Sequence, residues 1–350
     1  VLASGDNLER TSSLKTNSKY WAGRSVMITG ITGFAGSWLA QTLLGHGAKV
    51  YGMVRRHAVQ NVENIEHILD KITLIEGDLL DQNSVKQALE KYEVTVLFHL
   101  AAQSYVPQSF KAPSETYMTN VIGTANVLEA ARMYGKLEKM HFAGSSEEYG
   151  LVKPEETPIT EDNPLRPQSP YAVSKVACDM ACYCHHKAYG IPVVITRGFN
   201  HTGPRRGYTF VTSVITRQAA EIKLGKRKRF ELGNLDAKRD FTDVRDIVKG
   251  YMLAVEKGAA GEVYNLCSGK AYSISQVVDI ACEKLAIKRE VWQDPERMRP
   301  SDVPLLLGSY AKAEKAFGFK PTIEFEDTLD DMLQWQLQNV KSGKKVREVK

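Results

Sequence analysis

Tyr171 and Lys175 stand four residues apart in Tyr171-Ala172-Val173-Ser174-Lys175, a spacing that sets a phenol and an ammonium on one face of a helix. A cation beside a phenol favours the phenolate, so the pair reads as a group that takes and returns a proton near neutral pH. Upstream lies Gly144-Ser145-Ser146-Glu147-Glu148-Tyr149-Gly150. A serine hydroxyl there, Ser145, can hydrogen-bond a reacting carbonyl or alcohol oxygen beside the tyrosine. A third feature is Gly30-Ile31-Thr32-Gly33-Phe34-Ala35-Gly36, a GxxGxxG. Glycines at this spacing suit a tight turn, close approach of backbone to a pyrophosphate, and helix-on-strand packing, while a following helix offers free N–H donors.

Position along the chain strengthens each of these features. Ser25–Thr29, 48–54, 72–76, 94–100 and 138–143 read as strands, with helical patterns such as 36–46 and 84–92 between them. Strands alternating with helices predict an α/β fold, a Rossmann-like doubly wound parallel sheet. The glycine run then falls at the first strand-to-helix junction, the context a dinucleotide fingerprint requires. The serine falls just beyond the fifth strand, at the edge where ligands bind in this architecture. About twenty residues past the glycines, an NAD site would place an acid for the ribose 2′-hydroxyl. This chain has Val54-Arg55-Arg56-His57 instead. Two guanidiniums suit a 2′-phosphate, so Arg55 and Arg56 favour NADP as cofactor. Asp78 and Leu79, after the third strand, are expected at the adenine edge, and Leu100, Ala101 and Ala102 offer small residues where the cofactor passes.

The remaining organisation is coarser. Residues 1–19 are Ser/Asn/Lys-rich without apolar period and are expected to be a mobile tail; 20–198 form the NADP-binding domain, and 199–350 mainly a smaller α/β substrate lobe interleaved with it. The 350 residues are 43% apolar and 25% charged, an ordinary globular composition that excludes disorder and fibrous classes. A formal charge of +5 does not demand a polyanionic partner, so neither nucleic acid nor membrane is expected. Lys226-Arg227-Lys228-Arg229 reads as a solvated turn. Five cysteines without a framework suggest free thiols and a cytoplasmic location. Cys178, Cys182, His185 and His186 share one helix, but no second cluster completes a metal site, and packing is the expected role.

Taken together, the GxxGxxG, the serine and the YxxxK resemble the extended short-chain dehydrogenase/reductase superfamily over residues 19–338. Val54-Arg55-Arg56, Ala102-Gln103-Ser104, Phe199-Asn200-His201, Pro204-Arg205-Arg206-Gly207-Tyr208-Thr209-Phe210-Val211-Thr212 and Gly233–Asp240 are similar to its GDP-sugar branch, the GDP-mannose 4,6-dehydratases in particular. The resemblance implies that Glu147 performs an elimination, assisted by Ser146, after oxidation by Tyr171 and Lys175. It also implies that Gln103, His201 and Arg206 meet the cofactor. Ser104, Asn200, Phe210, Val211, Lys223, Arg239, Arg299 and Asp302 would meet a GDP-sugar, Asp302 by accepting from guanine. In that family, a loop matching Pro204–Gly207 reaches a neighbouring subunit, which implies a homodimer or homotetramer.

Residues 144–150, with Arg239–Asp246 and Arg299–Pro304, also resemble GDP-4-keto-6-deoxy-D-mannose reductases, which need only Ser145, Tyr171, Lys175 and NADPH. Tyr20–Arg24 and Gly36–Leu39 are similar to CDP-glucose dehydratases. An epimerase of the superfamily and a non-catalytic NADP-sensing protein complete the alternatives.

Overall fold

A computed structural model describes residues 10–55, 61–298 and 303–343. Its seven-stranded sheet is built from β1 (Ser25–Thr29), β2 (Lys49–Val54), β3 (Thr73–Glu76), β4 (Val96–His99), β5 (Lys139–Ser145) and β6 (Val193–Gly198), with β10 (Val263–Leu266) returning to its edge. The order is β10-β6-β5-β4-β1-β2-β3 and every pairing is parallel. Strands covered on both faces read as nearly continuous apolar runs, as in Val96–His99, where all four residues are buried. The chain leaves β1 toward β2 on one side and resumes at β4 on the other. The crevice between β1 and β4 is therefore the topological switch point, where ligands bind in open α/β sheets.

A smaller layer surrounds β7 (Asn200–Thr202), β8 (Phe230–Leu232), β9 (Lys238–Asp243), β11 (Ala271–Ser273), β12 (Val291–Gln293) and β13 (Leu305–Leu306). β9 is its hub, pairing with β7, β11 and β13. Helices Val211–Lys223, Ile274–Leu285 and Phe325–Lys341 cover it with a separate apolar cluster that includes Phe230, Phe241, Val277 and Leu329.

The N-terminal segment differs from the mobile tail expected for residues 1–19 in the part that is described. Leu14 is buried in the main core, and Lys249 Nζ donates to the carbonyls of Ser12 and Leu14 at 2.6 and 3.0 Å. Arg10 pairs with Asp327 and Asp331. The polar composition that suggests disorder supplies the partners for helices far away in sequence, a reason invisible to local pattern. No helix among the described residues is long and apolar enough to cross a membrane.

Candidate active site

The first strand ends in a turn that only glycine can make at two points. Gly30 has φ +78°, and an added Cβ would lie 2.9 Å from the backbone of Ala101 at the end of β4. At Gly36 a Cβ would meet the Gly30 carbonyl oxygen at 2.2 Å, because helix Phe34–Gly45 starts hard against the strand. The cradle therefore leaves main-chain N–H groups facing the switch point with no side chain between them and a ligand. Gly36→Ala is expected to lower the unfolding temperature by several degrees, in line with about 1–3 kcal/mol of overpacking. It should also weaken dinucleotide binding more than tenfold, as read by thermal unfolding and cofactor titration.

From this turn a cavity of about 1560 Å3 runs across the carboxyl edge of the sheet into the smaller layer. It is lined by the whole predicted cofactor set that is described: Gly30 and Thr32 to Gly36, Arg55, Asp78, Leu79, Leu100 to Gln103, His201 and Arg206. Arg55 is exposed at the end of β2. Arg56, Arg299 and Asp302 lie outside the described residues. Of the predicted substrate set, Ser104, Asn200, Phe210, Val211 and Arg239 line the same cavity. The Asn200 side-chain oxygen is buried there without a hydrogen-bond partner among the described residues. Such an atom is costly unless a ligand satisfies it.

One placement departs from the expected substrate set. Lys223 does not reach the cavity: at the last turn of its helix, it is exposed and gives its ammonium to the Leu285 carbonyl at 2.8 Å. Arg239 does line the cavity, yet its guanidinium donates to the Val303 and Lys238 carbonyls at 2.6 and 2.9 Å.

The reacting groups converge from two elements. β5 ends at Ser145, which caps a single turn, Ser146–Glu148; its hydroxyl accepts the Glu147 N–H at 3.2 Å. Helix Pro170–Tyr189 opens with Ser169 capping the Ala172 N–H and carries Tyr171 and Lys175 on its buried face. Ser145, Ser146, Glu147, Tyr171 and Lys175 all line the cavity. Among the described residues the Glu147 carboxylate has no hydrogen-bond or ion-pair partner, and the Tyr171 phenol feels its charge.

The expected lowering of the Tyr171 phenol is not what its surroundings favour. Burial dominates and pushes it above its ordinary value, while a hydrogen bond to Ser145 and the Arg206 guanidinium work the other way. Lys175 spends its ammonium on the Ala143 carbonyl at 2.7 Å and stands over the Phe142 ring, and burial lowers its pKa. The i, i+4 spacing put both on one face, but it could not tell that a carbonyl of β5 would take the ammonium.

One residue of the site carries no motif, and contacts among others were not readable. Asn120, buried on the turn Met118–Ile122, accepts the Gln103 N–H at 2.8 Å and donates to the Gln103 carbonyl and to Ser174 Oγ, tying the end of β4 to the catalytic helix. Phe34 stacks on His201 with centroids 6.1 Å apart, and Arg206 lies between Phe34 and Phe210, 4.9 and 3.6 Å from their ring centroids. Burial and then Arg206 push His201 down to about 3, leaving it neutral. A lone asparagine has no sequence signal; the aromatic pairings could have been sought only with the fold in hand.

A doubly wound parallel sheet, a glycine cradle at its switch point and a Ser–Tyr–Lys set at the carboxyl edge define an extended short-chain dehydrogenase/reductase. Within it, the chain belongs to the GDP-mannose 4,6-dehydratase family, whose sequence model matches residues 27–332. A GDP-mannose 4,6-dehydratase of Sordaria araneosa is 37% identical over 92% of this chain, which spans 62% of that protein. A GDP-6-deoxy-D-mannose reductase of Pseudomonas aeruginosa is 35% identical over 74% of this chain and 86% of its own length. The solved structure of RMD from Pseudomonas aeruginosa complexed with NADPH superposes with a TM-score of 0.78 at 31% identity, covering 90% of this chain and 99% of that one.

Proposed function

We propose that this chain is an NADP-dependent nucleotide-sugar 4,6-dehydratase that converts GDP-mannose to GDP-4-keto-6-deoxy-mannose. The observation that carries the reading is the Glu147 carboxylate, unengaged by other described residues and facing the same cavity as Ser145, Tyr171 and Lys175. NADP, held by the glycine cradle and Arg55, would supply reversible hydride storage between sugar C4 and C6, with no net consumption in a turnover. Tyr171 takes the C4 hydroxyl proton, and Ser145 donates a hydrogen bond to the oxygen that becomes the ketone. Lys175 keeps a positive charge beside the phenolate. The new C4 ketone acidifies the C5 proton, which Glu147 removes. Water leaves from C6 with the proton that Glu147 took, given directly or through Ser146, and as C6 is reduced the proton held by Tyr171 passes to C5. A carboxylate suits this step, because its conjugate acid donates in the same cycle.

NADP is favoured by Arg55, exposed beside the cradle without an acid at the end of β2, and by the NADPH held in the similar solved structure. Arg55→Ala is expected to weaken NADP about tenfold while leaving NAD affinity unchanged, the size of a lost charge-assisted contact. Competitive cofactor titration reads this. GDP is favoured by family membership and tested by thermal shift against CDP, UDP and dTDP. A homo-oligomer fits the exposed Val173, Met180 and Tyr183 on one helix, and a cytoplasmic location fits five unpaired cysteines.

An isotope experiment tests the route. GDP-mannose deuterated at C4 is expected to yield product carrying that deuterium at C6. Loss of the label to solvent rules the route out.

A GDP-4-keto-6-deoxy-mannose reductase is the second reading. It is favoured by Ser145-Ser146-Glu147-Glu148 and by the similar reductase, and it leaves Glu147 without a task.

A further inference from the structure

Directly behind the catalytic turn lies a charged cluster that the reaction above does not use. Glu148 is fully buried, and its Oε1 accepts the Ser145 N–H at 2.7 Å, completing a reciprocal cap with the Ser145 hydroxyl. Its Oε2 lies 3.2 Å from Arg197 Nε on β6, and the same Nε meets Asp179 Oδ2 at 2.9 Å. Arg197 Nη1 also donates to the Tyr149 hydroxyl, which in turn donates to Asn265 on β10. Asp179 belongs to the catalytic helix. Tyr171, Lys175 and Asp179 follow at intervals of four, so they occupy one helix face and share its burial.

We infer that Glu148 is a positioning residue: its carboxyl, bonded to the Ser145 N–H and set against the Arg197–Asp179 pair, fixes Ser145 and its turn against the helix that carries Tyr171 and Lys175. This rests on the reading of Ser145 and Tyr171 as the groups that act on the sugar oxygen.

The geometry requires a carboxyl in that place. With Ser145 Oγ accepting from Glu147 N–H and Ser145 N–H held by Glu148, the serine hydroxyl directs its own proton to the cavity side, where it meets the Tyr171 phenol. Gly144 is packed so closely that an added Cβ would lie 2.8 Å from Glu148 Oε1 and 2.9 Å from the Thr196 carbonyl. The turn therefore has no slack on the strand side. Two carboxyls that share one guanidinium nitrogen in a dry setting cannot both hold a full charge at low cost. Burial, then the neighbouring Asp179, push the Glu148 carboxyl above its ordinary range, and its Oε1 accepts the Ser145 N–H with or without the proton. An amide can play the same part; an aliphatic side chain of the same length cannot.

The test compares Glu148→Gln and Glu148→Leu with the wild type in turnover of GDP-mannose and in amide hydrogen exchange of the segment around Ser145. Glu148→Leu is expected to lower kcat about tenfold or more with KM and cofactor affinity within twofold, because a small misplacement of a reacting group is costly while binding is made elsewhere. Its Ser145 amide should lose protection. Glu148→Gln is expected to restore kcat to within threefold and to keep protection. A lower melting temperature for Glu148→Leu with kcat within twofold of wild type overturns the inference, since that is the mark of a structural group alone. Glu148→Gln as damaged as Glu148→Leu overturns it too. If the wild type converts no GDP-sugar, the assigned reaction falls on its own, and unchanged Ser145 protection in Glu148→Leu still overturns this inference.

Discussion

Glu147→Gln is expected to reduce formation of the 4-keto-6-deoxy product by a thousandfold or more, roughly 4 kcal/mol of transition-state stabilisation. The amide is nearly the same shape but cannot take the C5 proton. Because the carboxylate has no partner among the described residues, its loss should leave stability within about 0.5 kcal/mol of wild type. Oxidation at C4 does not need Glu147. The variant is thus expected to stall within the first turnover, after C4 oxidation, with the ultraviolet absorbance of reduced nicotinamide appearing in proportion to enzyme and persisting. Turnover of GDP-mannose at an undiminished rate would assign elimination to another group. Reduction of a 4-keto sugar by NADPH, if the chain performs it, should survive the substitution, and that contrast separates the dehydratase from the reductase.

Tyr171→Phe is expected to lower kcat for GDP-mannose by about a thousandfold, within the range for loss of a general acid–base group. It deletes one hydroxyl at a buried position, so dinucleotide affinity should change little. The sign of the pH effect follows from the geometry. Burial raises the phenol above its ordinary value in the free enzyme, and the phenolate is the form that takes the C4 proton. The wild-type kcat/KM should therefore rise with pH from neutral into the alkaline range, while the residual activity of Tyr171→Phe should not share that rise. A parallel rise in both would place the titrating base elsewhere.

The parallel sheet was readable because its signals are local. β1 is predicted over the same residues it occupies, and β2 to β5 shift only by one or two residues at their ends, as apolar runs punctuated by glycine and polar residues allow. The glycine cradle, Ser145, Tyr171 and Lys175 were legible for the same reason: each is a short pattern at a strand end. What escaped depends on contacts between distant segments. Lys223 was expected at the ligand from the family resemblance, but at the end of its helix it gives its ammonium to the Leu285 carbonyl. The protonation of Tyr171 is governed by burial, which no i, i+4 rule reports. Glu148 stands in the sequence as one more acid beside Glu147. Its meaning depends on Arg197 and Asp179, which β6 and the catalytic helix bring to it only in the folded chain.

The central claim is that Glu147, Tyr171, Lys175 and Ser145 act together on one nucleotide sugar with no outside reductant. Incubation of the protein with GDP-mannose and catalytic NADP tests it most directly. A 4-keto-6-deoxy product formed to many times the cofactor present, with no net NADPH left over, is the predicted result. GDP-mannose recovered unchanged, while the same preparation consumes NADPH with the 4-keto sugar, would contradict it.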